Sequence, residues 1–260
     1  MTDAAESFHE ISGCRVRVMR GGKGEPLLFL HGARGATHWV PFMQKLAERY
    51  DVIVPEHPGF GGSDTPAWLD NVSDLAYFYL DFLKHFGLDS VRVVGNSLGG
   101  WIASEMAVRN TGAIRSVVLI APAGIHVKGV QKGDIFMWNR EETAYNLFYN
   151  PEFAKAALAV EPNEADIDTM LKNNLMTAKL TWQPRLYNPD LYKWMHRIDV
   201  PVQVIWGNHD KVIPVDYAAA FQALIPGSRL KVITNCGHLP HIEKADEVLD
   251  TIADFEEVTQ

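Results

Sequence analysis

Cysteine is scarce in this chain of 260 residues, which has only Cys14 and Cys236. Two thiols so far apart make neither a disulfide framework nor a metal-ligand spacing. Their default setting is a reducing cytoplasm, with a bridge between the two as the alternative. Runs or stripes of Lys and Arg are also missing, and the net charge is −8, from 32 acidic and 24 basic side chains. Nucleic acid therefore has no electrostatic footing and is not an expected partner. No apolar stretch approaches the roughly 20 residues that span a bilayer, so no membrane partner is expected. The opening Met1-Thr2-Asp3-Ala4-Ala5-Glu6 is acidic and polar, unlike a signal peptide, and the expected location is cytoplasmic. Internal repeats and low-complexity tracts are lacking. What remains is ordinary for a globular protein, with 47% hydrophobic and 22% charged residues. The length suits one large α/β domain or a domain with an insertion.

Strand-like and helix-like stretches alternate along the chain. Val16 and Val18 interleave with Arg15, Arg17 and Met19, and Gly21-Gly22 closes that strand. Leu27-Leu28-Phe29-Leu30 is a continuous apolar run, as in a strand buried on both faces, and His31-Gly32-Ala33-Arg34-Gly35 follows as a loop. Residues 41–50 have helical spacing, 52–54 read as a strand, and Ser73 or Asp74 caps a helix running to about Phe86. Val91 to Val94 and Val117 to Ile120 are further strands. From Gly124 to about Arg197 no strand-like run occurs. Residues 141–148, 152–160 and 164–180 read as helices. The sheet resumes with Val202 to Trp206, a helix over 217–224, a strand over 230–233 and a final helix over 243–255. This alternation predicts a mostly parallel central sheet flanked by helices. The division is a core of residues 1–124 and 196–260 with a helical insertion at 125–195.

The chemistry centres on Gly95-Asn96-Ser97-Leu98-Gly99, between the 91–94 strand and a helix-like segment. A G-x-S-x-G in that setting is a nucleophile elbow. Small flanking residues permit the sharp turn, and the helix points its first N–H groups at the substrate oxygen. A serine hydroxyl needs a base, usually histidine. Of ten histidines, His238 follows a strand and precedes the last helix, in a loop at the carboxyl edge of the sheet. His241 is its rival, with a surface or helix-start role as the alternative. Asp210, also in a carboxyl-edge loop, is the candidate to orient the imidazole. Asp216 is its rival, although helix capping accounts for it. His31 reads as structural and His57 has no assigned role. Trp101 reads as core packing with pocket lining second. Asn96 either bonds beneath the elbow or touches substrate.

The order Ser97, Asp210, His238 resembles that of the α/β-hydrolase superfamily. The resemblance covers nearly the whole chain. It runs through His31-Gly32, Pro58-Gly59-Phe60-Gly61-Gly62-Ser63-Asp64, the elbow with Gly100, Trp206-Gly207-Asn208-His209-Asp210, and Gly237-His238. It implies the α/β-hydrolase fold, with Asp210 as acid and His238 as base. It also implies an oxyanion hole made of the Ala33 and Leu98 backbone N–H groups. The insertion in this superfamily forms a cap over the site. Phe148, Met176, Leu180 and Trp182 are its expected pocket-lining residues, joined by Val212 and Leu239 beside the acid and base.

Serine as nucleophile sets this chain apart from the haloalkane dehalogenase and epoxide hydrolase branches, which use aspartate. Two branches stay close: carboxylesterases, and carbon–carbon hydrolases acting on ring-cleavage dienoates. The latter resemble the chain in the Gly-Asn-Ser elbow. They carry a Gly-Gly-Pro-Gly-like loop, a cap arginine and a tryptophan after the histidine. Here stand Ala33-Arg34-Gly35-Ala36 and Leu239, and no arginine occurs between Glu164 and Trp182. The expectation is therefore a serine carboxylesterase acting on small to medium apolar acyl esters through an acyl-enzyme. The alternatives are the carbon–carbon hydrolase and a receptor-like ligand-binding module with little turnover. Arg34 reads as an exposed loop arginine, with contact to an anionic substrate group as the alternative. The small-molecule ester is the expected partner, and neither metal nor organic cofactor is expected.

Overall fold

The apolar runs pair into one eight-stranded sheet in a computed structural model, which describes residues 4–258. Its strands are β1 (Ala5–Ile11), β2 (Cys14–Gly22), β3 (Glu25–Leu30), β4 (Tyr50–Pro55), β5 (Val91–Asn96), β6 (Ile114–Ile120), β7 (Val202–Gly207) and β8 (Arg229–Ile233). Their spatial order is β1-β2-β4-β3-β5-β6-β7-β8. The β1–β2 and β2–β4 pairs are antiparallel, and all later pairs are parallel. The carboxyl ends of β3, β5, β7 and β8 therefore share one edge.

Helices cover both faces: α1 (Pro41–Leu46), α2 (Val72–His85), α3 (Leu98–Arg109), α7 (Asp216–Leu224), α8 (Pro240–Glu243) and α9 (Ala245–Val258). The continuous apolar strands serve two cores. Leu28, Leu30, Val93, Val117 and Leu119 face α2, α3 and α7. Their neighbours Leu27, Phe29, Val94, Val118 and Ile120 face α1 and α9. Side chains alternate across a strand, so a central strand needs apolar residues at every position. Helix α9 buries Val248, Ile252 and Phe255 on one stripe, each worth about 1.5–3 kcal/mol. Cys14 and Cys236 are free, and belong to opposite cores.

Three local expectations change. β1 was not anticipated, because an edge strand reading Ala-Glu-Ser-Phe-His-Glu-Ile is mostly polar. The signal for it was Ser12-Gly13, a two-residue hairpin turn with both φ positive. The cap of α2 is Asn71, which accepts the Ser73 and Asp74 N–H groups while Asp74 accepts that of Asn71. Asp216 begins α7 but caps nothing; its side chain is exposed in the first turn.

Between β6 and β7 the chain leaves the sheet and forms α4 (Arg140–Leu147), α5 (Pro151–Ala159) and α6 (Glu164–Thr181). The segment departs and returns side by side: Gly124 N–H bonds the Leu186 carbonyl, and Asn188 N–H bonds that of Gly124. Helix α6 has an unusual face distribution. Asn173, Thr177 and Thr181, spaced by four, are buried, whereas Ile167, Leu171 and Leu175, also spaced by four, are exposed. Met176 and Leu180 are buried beside the polar three, so the inward side mixes apolar residues with polar ones, of which Asn173 and Thr177 meet loop carbonyls.

Candidate active site

Ser97 stands between β5 and α3 with φ +53°, a conformation that non-glycine residues rarely take. Its neighbours make the turn possible. A Cβ at Gly99 would lie 2.0 Å from the Leu30 carbonyl oxygen, and one at Gly95 would lie 2.4 Å from that of Gly99. The Ser97 N–H bonds the Ile120 carbonyl, and Asn96 Nδ2 donates to the same oxygen. Asn96 thus braces the elbow from beneath.

Two neighbouring strands carry the other groups to this edge. His238 Nε2 is 3.0 Å from Ser97 Oγ, and its Nδ1 is 2.7 Å from Asp210 Oδ2. Asp210 Oδ1 accepts the Val212 and Ile213 N–H groups at 2.8 and 2.9 Å. These bonds hold the carboxylate as an acceptor. The imidazole therefore carries its proton on Nδ1 and offers Nε2 as acceptor to the serine hydroxyl. Asp210 and His238 are both buried, so their interaction is shielded from water.

The N–H groups of Ala33 and Leu98 donate no hydrogen bond within the described residues. Both residues line the cavity beside Ser97. The cavity holds about 20 Å³, close to the room of a single water. Trp101 and Ala123 wall it from the core, Ile135, Thr177, Thr181 and Leu186 from the inserted segment, and Val212 and Ile213 from the loop after β7. Trp101 thus both packs in the core and faces the site, its Nε1 donating to Glu105.

The other expected pocket residues are arranged differently. Val212 lines the cavity; Phe148, Met176, Leu180, Trp182 and Leu239 do not. Phe148 stacks on Phe153. Met176 is buried against Gly59, and Leu180 is buried one helical position away from Thr181. Trp182 is 48% exposed and packs on Phe136 and Arg185. Leu239 is half-buried against the core. Thr177 and Thr181 take the places expected of large apolar residues, and two threonines four apart were the available signal. Arg34 is exposed at the rim of the cleft, outside the cavity wall, and its guanidinium has no hydrogen bond or ion pair among the described residues. Desolvation, then the like charge of Arg140, lowers its pKa.

His31, His57 and His241 are buried. His31 Nδ1 donates to the Gly32 carbonyl, and its Nε2 accepts the His57 N–H at 2.9 Å. Burial lowers its pKa to about 4. His57 stacks on His31, donates to the His31 carbonyl and accepts from Tyr79. His241 begins a short helix as one alternative held, but it is buried against Phe29 and Phe42, not on the surface. Its pKa falls to about 3, chiefly through burial. Glu243 was not anticipated; it accepts the N–H groups of Gly237, Tyr149 and Asn150, joining the His238 loop to the α4–α5 connection. Among the described residues no three His, Cys, Asp or Glu side chains are grouped as metal ligands, and no helix is long and apolar enough to cross a membrane.

A model of the alpha/beta hydrolase fold matches residues 25–245. The chain belongs to the α/β-hydrolase family. It is 29% identical, over 94% of its length and 67% of the relative's, to the dihydrolipoyllysine-residue acetyltransferase component of the acetoin cleaving system of Cupriavidus necator. It is 28% identical to lipase 3 of a Moraxella species, covering 89% of this chain and 76% of that one. It is 27% identical to the 2-hydroxy-6-oxo-6-(2'-aminophenyl)hexa-2,4-dienoic acid hydrolase of Metapseudomonas resinovorans, covering 96% and 90%. Lipase and carbon–carbon hydrolase relatives together mark the chain as a hydrolase.

Proposed function

We propose that this hydrolase cleaves carboxylic esters of small to medium apolar acyl groups through an acyl-enzyme on Ser97. The observation that carries the reading is the unbroken chain from Ser97 Oγ to His238 to Asp210, ending in a small apolar cavity. His238 takes the hydroxyl proton as Oγ attacks the ester carbonyl. The Ala33 and Leu98 N–H groups receive the oxyanion, and removing one such donor typically costs about 10²–10³ in rate. The His238 imidazolium then protonates the leaving alcohol, and Asp210 stabilises it meanwhile. Water activated by the same imidazole releases the acid. These residues supply nucleophile, base, orienting acid and oxyanion donors, so neither a metal nor an organic cofactor takes part. The inserted segment 125–195 serves as the cap.

A second reading is carried by one observation: the Arg34 guanidinium next to the Ala33 turn has no partner among the described residues. A cation there suits a substrate carboxylate, as a ring-cleavage dienoate would bring. The test is a panel of esters of graded acyl length beside a ring-cleavage dienoate, with wild type and Ser97→Ala. The reading expects the shortest esters to turn over fastest and Ser97→Ala to lose several orders of magnitude. Near-normal activity in the variant, or no labelling of wild type by a serine-directed phosphonate, would remove it.

A further inference from the structure

The turn at Gly32–Gly35 is held by every carbonyl it has inside. The Gly32 oxygen accepts the Gly35 N–H at 3.1 Å and the His31 ring at 2.7 Å. The Ala33 oxygen accepts Thr177 Oγ1 at 3.2 Å, and the Arg34 oxygen accepts Asn173 Nδ2 at 2.9 Å. The last two donors come from α6, more than a hundred residues along the chain. Both side chains are almost wholly buried. Asn173 also accepts the Gly61 N–H at 2.9 Å, which fixes its amide so that Nδ2 must face the turn. The approach is close: a Cβ at Gly35 would lie 2.5 Å from Asn173 Nδ2. Only glycine at 35, with φ +87°, lets helix and turn meet.

In a trans peptide the N–H points opposite the carbonyl of the same plane. The Ala33 N–H shares its plane with the Gly32 carbonyl, which the Gly35 N–H and the His31 ring hold. By bonding the Ala33 and Arg34 carbonyls, α6 fixes the next two planes, the second of which carries that Gly35 N–H and so steadies the first. The Ala33 N–H has no partner among the described residues and borders the cavity. We propose that Thr177 and Asn173 are positioning residues, through which a seated α6 aims the Ala33 N–H at the substrate oxyanion. The proposal rests on the ester-hydrolase reading and adds to it a dependence of transition-state binding on the inserted segment. Preorganised donors are effective because they need no reorganisation as charge develops. A turn released from α6 keeps its sequence and loses that advantage.

The experiment uses Thr177→Val, which keeps shape and removes the donor, Thr177→Ser, which keeps the donor, and Asn173→Asp, which retains the acceptor for Gly61 and loses the donor to Arg34. Steady-state kinetics on a short ester are measured beside inhibition by an alkyl trifluoromethyl ketone, which forms an oxyanion on the serine. Thr177→Val and Asn173→Asp should each lower kcat about tenfold, against about 10²–10³ for a whole donor. KM should stay within about twofold, and inhibitor affinity should fall by the same factor as kcat/KM, as for a transition-state mimic. Thr177→Ser should recover most of the loss. A wild type that hydrolyses no ester removes the parent reading and this inference with it. An active wild type with a Thr177→Val/Asn173→Asp double variant of unchanged kcat removes the inference alone. So does a loss seen only in KM or only in Tm, with inhibitor affinity intact.

Discussion

The carbonyl of Leu147, at the end of α4, accepts the backbone N–H of His238 at 2.8 Å. The loop bearing the imidazole is thus clamped between the sheet below and the inserted segment above. Gly237 allows this contact, since a Cβ there would lie 2.5 Å from the Leu147 oxygen. Gly237→Ala must push α4 away or shift the loop. Crowding of this kind costs about 1–3 kcal/mol. The expected outcome is a lowered Tm together with a fall in kcat, as the Nε2 to Ser97 geometry loosens. An unchanged Tm and unchanged kcat would show that the loop yields without consequence.

Asp210→Asn should impair turnover far more than Asp216→Asn. In the wild type Oδ1 is held by two backbone N–H groups, which forces Oδ2 toward His238. An asparagine keeps its oxygen on those N–H groups and turns its NH₂ toward Nδ1. The imidazole then takes the wrong tautomer, a loss on the order of 10⁴ in the serine-protease precedent. Asp216 is exposed and caps nothing. Its neutralisation removes a helix-dipole interaction of about 0.3–1 kcal/mol. Measured kcat/KM and Tm on both variants check the ranking, and equal kinetic losses would overturn it.

Most of the sheet and the three proposed catalytic side chains were legible because each leaves a local signature. Central strands must be apolar on both faces, and the elbow, acid and base sit in short loops immediately after them. The edge strand Ala5–Ile11 was not legible as apolar periodicity because it buries only Ile11 fully. The cavity wall was misread for a different reason. Helix α6 buries Asn173, Thr177 and Thr181 and exposes Ile167, Leu171 and Leu175. Met176 and Leu180 are buried on it too, but Asn173 and Thr177 are aimed at carbonyls in a loop more than a hundred residues away. A periodicity argument assumes an apolar core opposite the helix, and that assumption fails over a polar loop.

Acid should destabilise the fold before it titrates the carboxylates. Burial holds His241 at about 3 and His31 at about 4, against an ordinary value near 6.5. Between those limits and pH ~6.5 the unfolded chain binds protons that the native state refuses. Stability therefore falls as pH drops from about 6.5 toward 3–4 and is not recovered below. Each histidine contributes on the order of a few kcal/mol across that window. His241 Nδ1 has no hydrogen-bond partner among the described residues, and its ring packs on Phe29 and Phe42. His241→Leu should keep stability at pH 7 and flatten the loss between pH 6.5 and 4. Urea unfolding at a series of pH values measures this, and an unchanged slope would contradict it.

Short uncharged esters should outrun ring-cleavage dienoates on the wild type. A dienoate brings a carboxylate toward a wall of Leu98, Trp101, Ile135, Leu186, Val212 and Ile213. Burying that charge unpaired costs far more than one hydrogen bond returns. An ester carries no such charge, and the two free N–H groups of Ala33 and Leu98 suffice for its carbonyl. Arg34 is the group able to reverse the order. Among the described residues its guanidinium has no partner, it adjoins the Ala33 turn, and the nearby Arg140 is already engaged by the Leu158 and Val160 carbonyls. The measurement is kcat/KM for both substrates on the wild type and on Arg34→Ala. The ester value should hold within about threefold in the variant, as expected for a rim residue whose charge the ester does not use. A dienoate that is preferred by the wild type and collapses in Arg34→Ala would replace the esterase reading with carbon–carbon bond hydrolysis, and would make Arg34 the residue that selects the substrate.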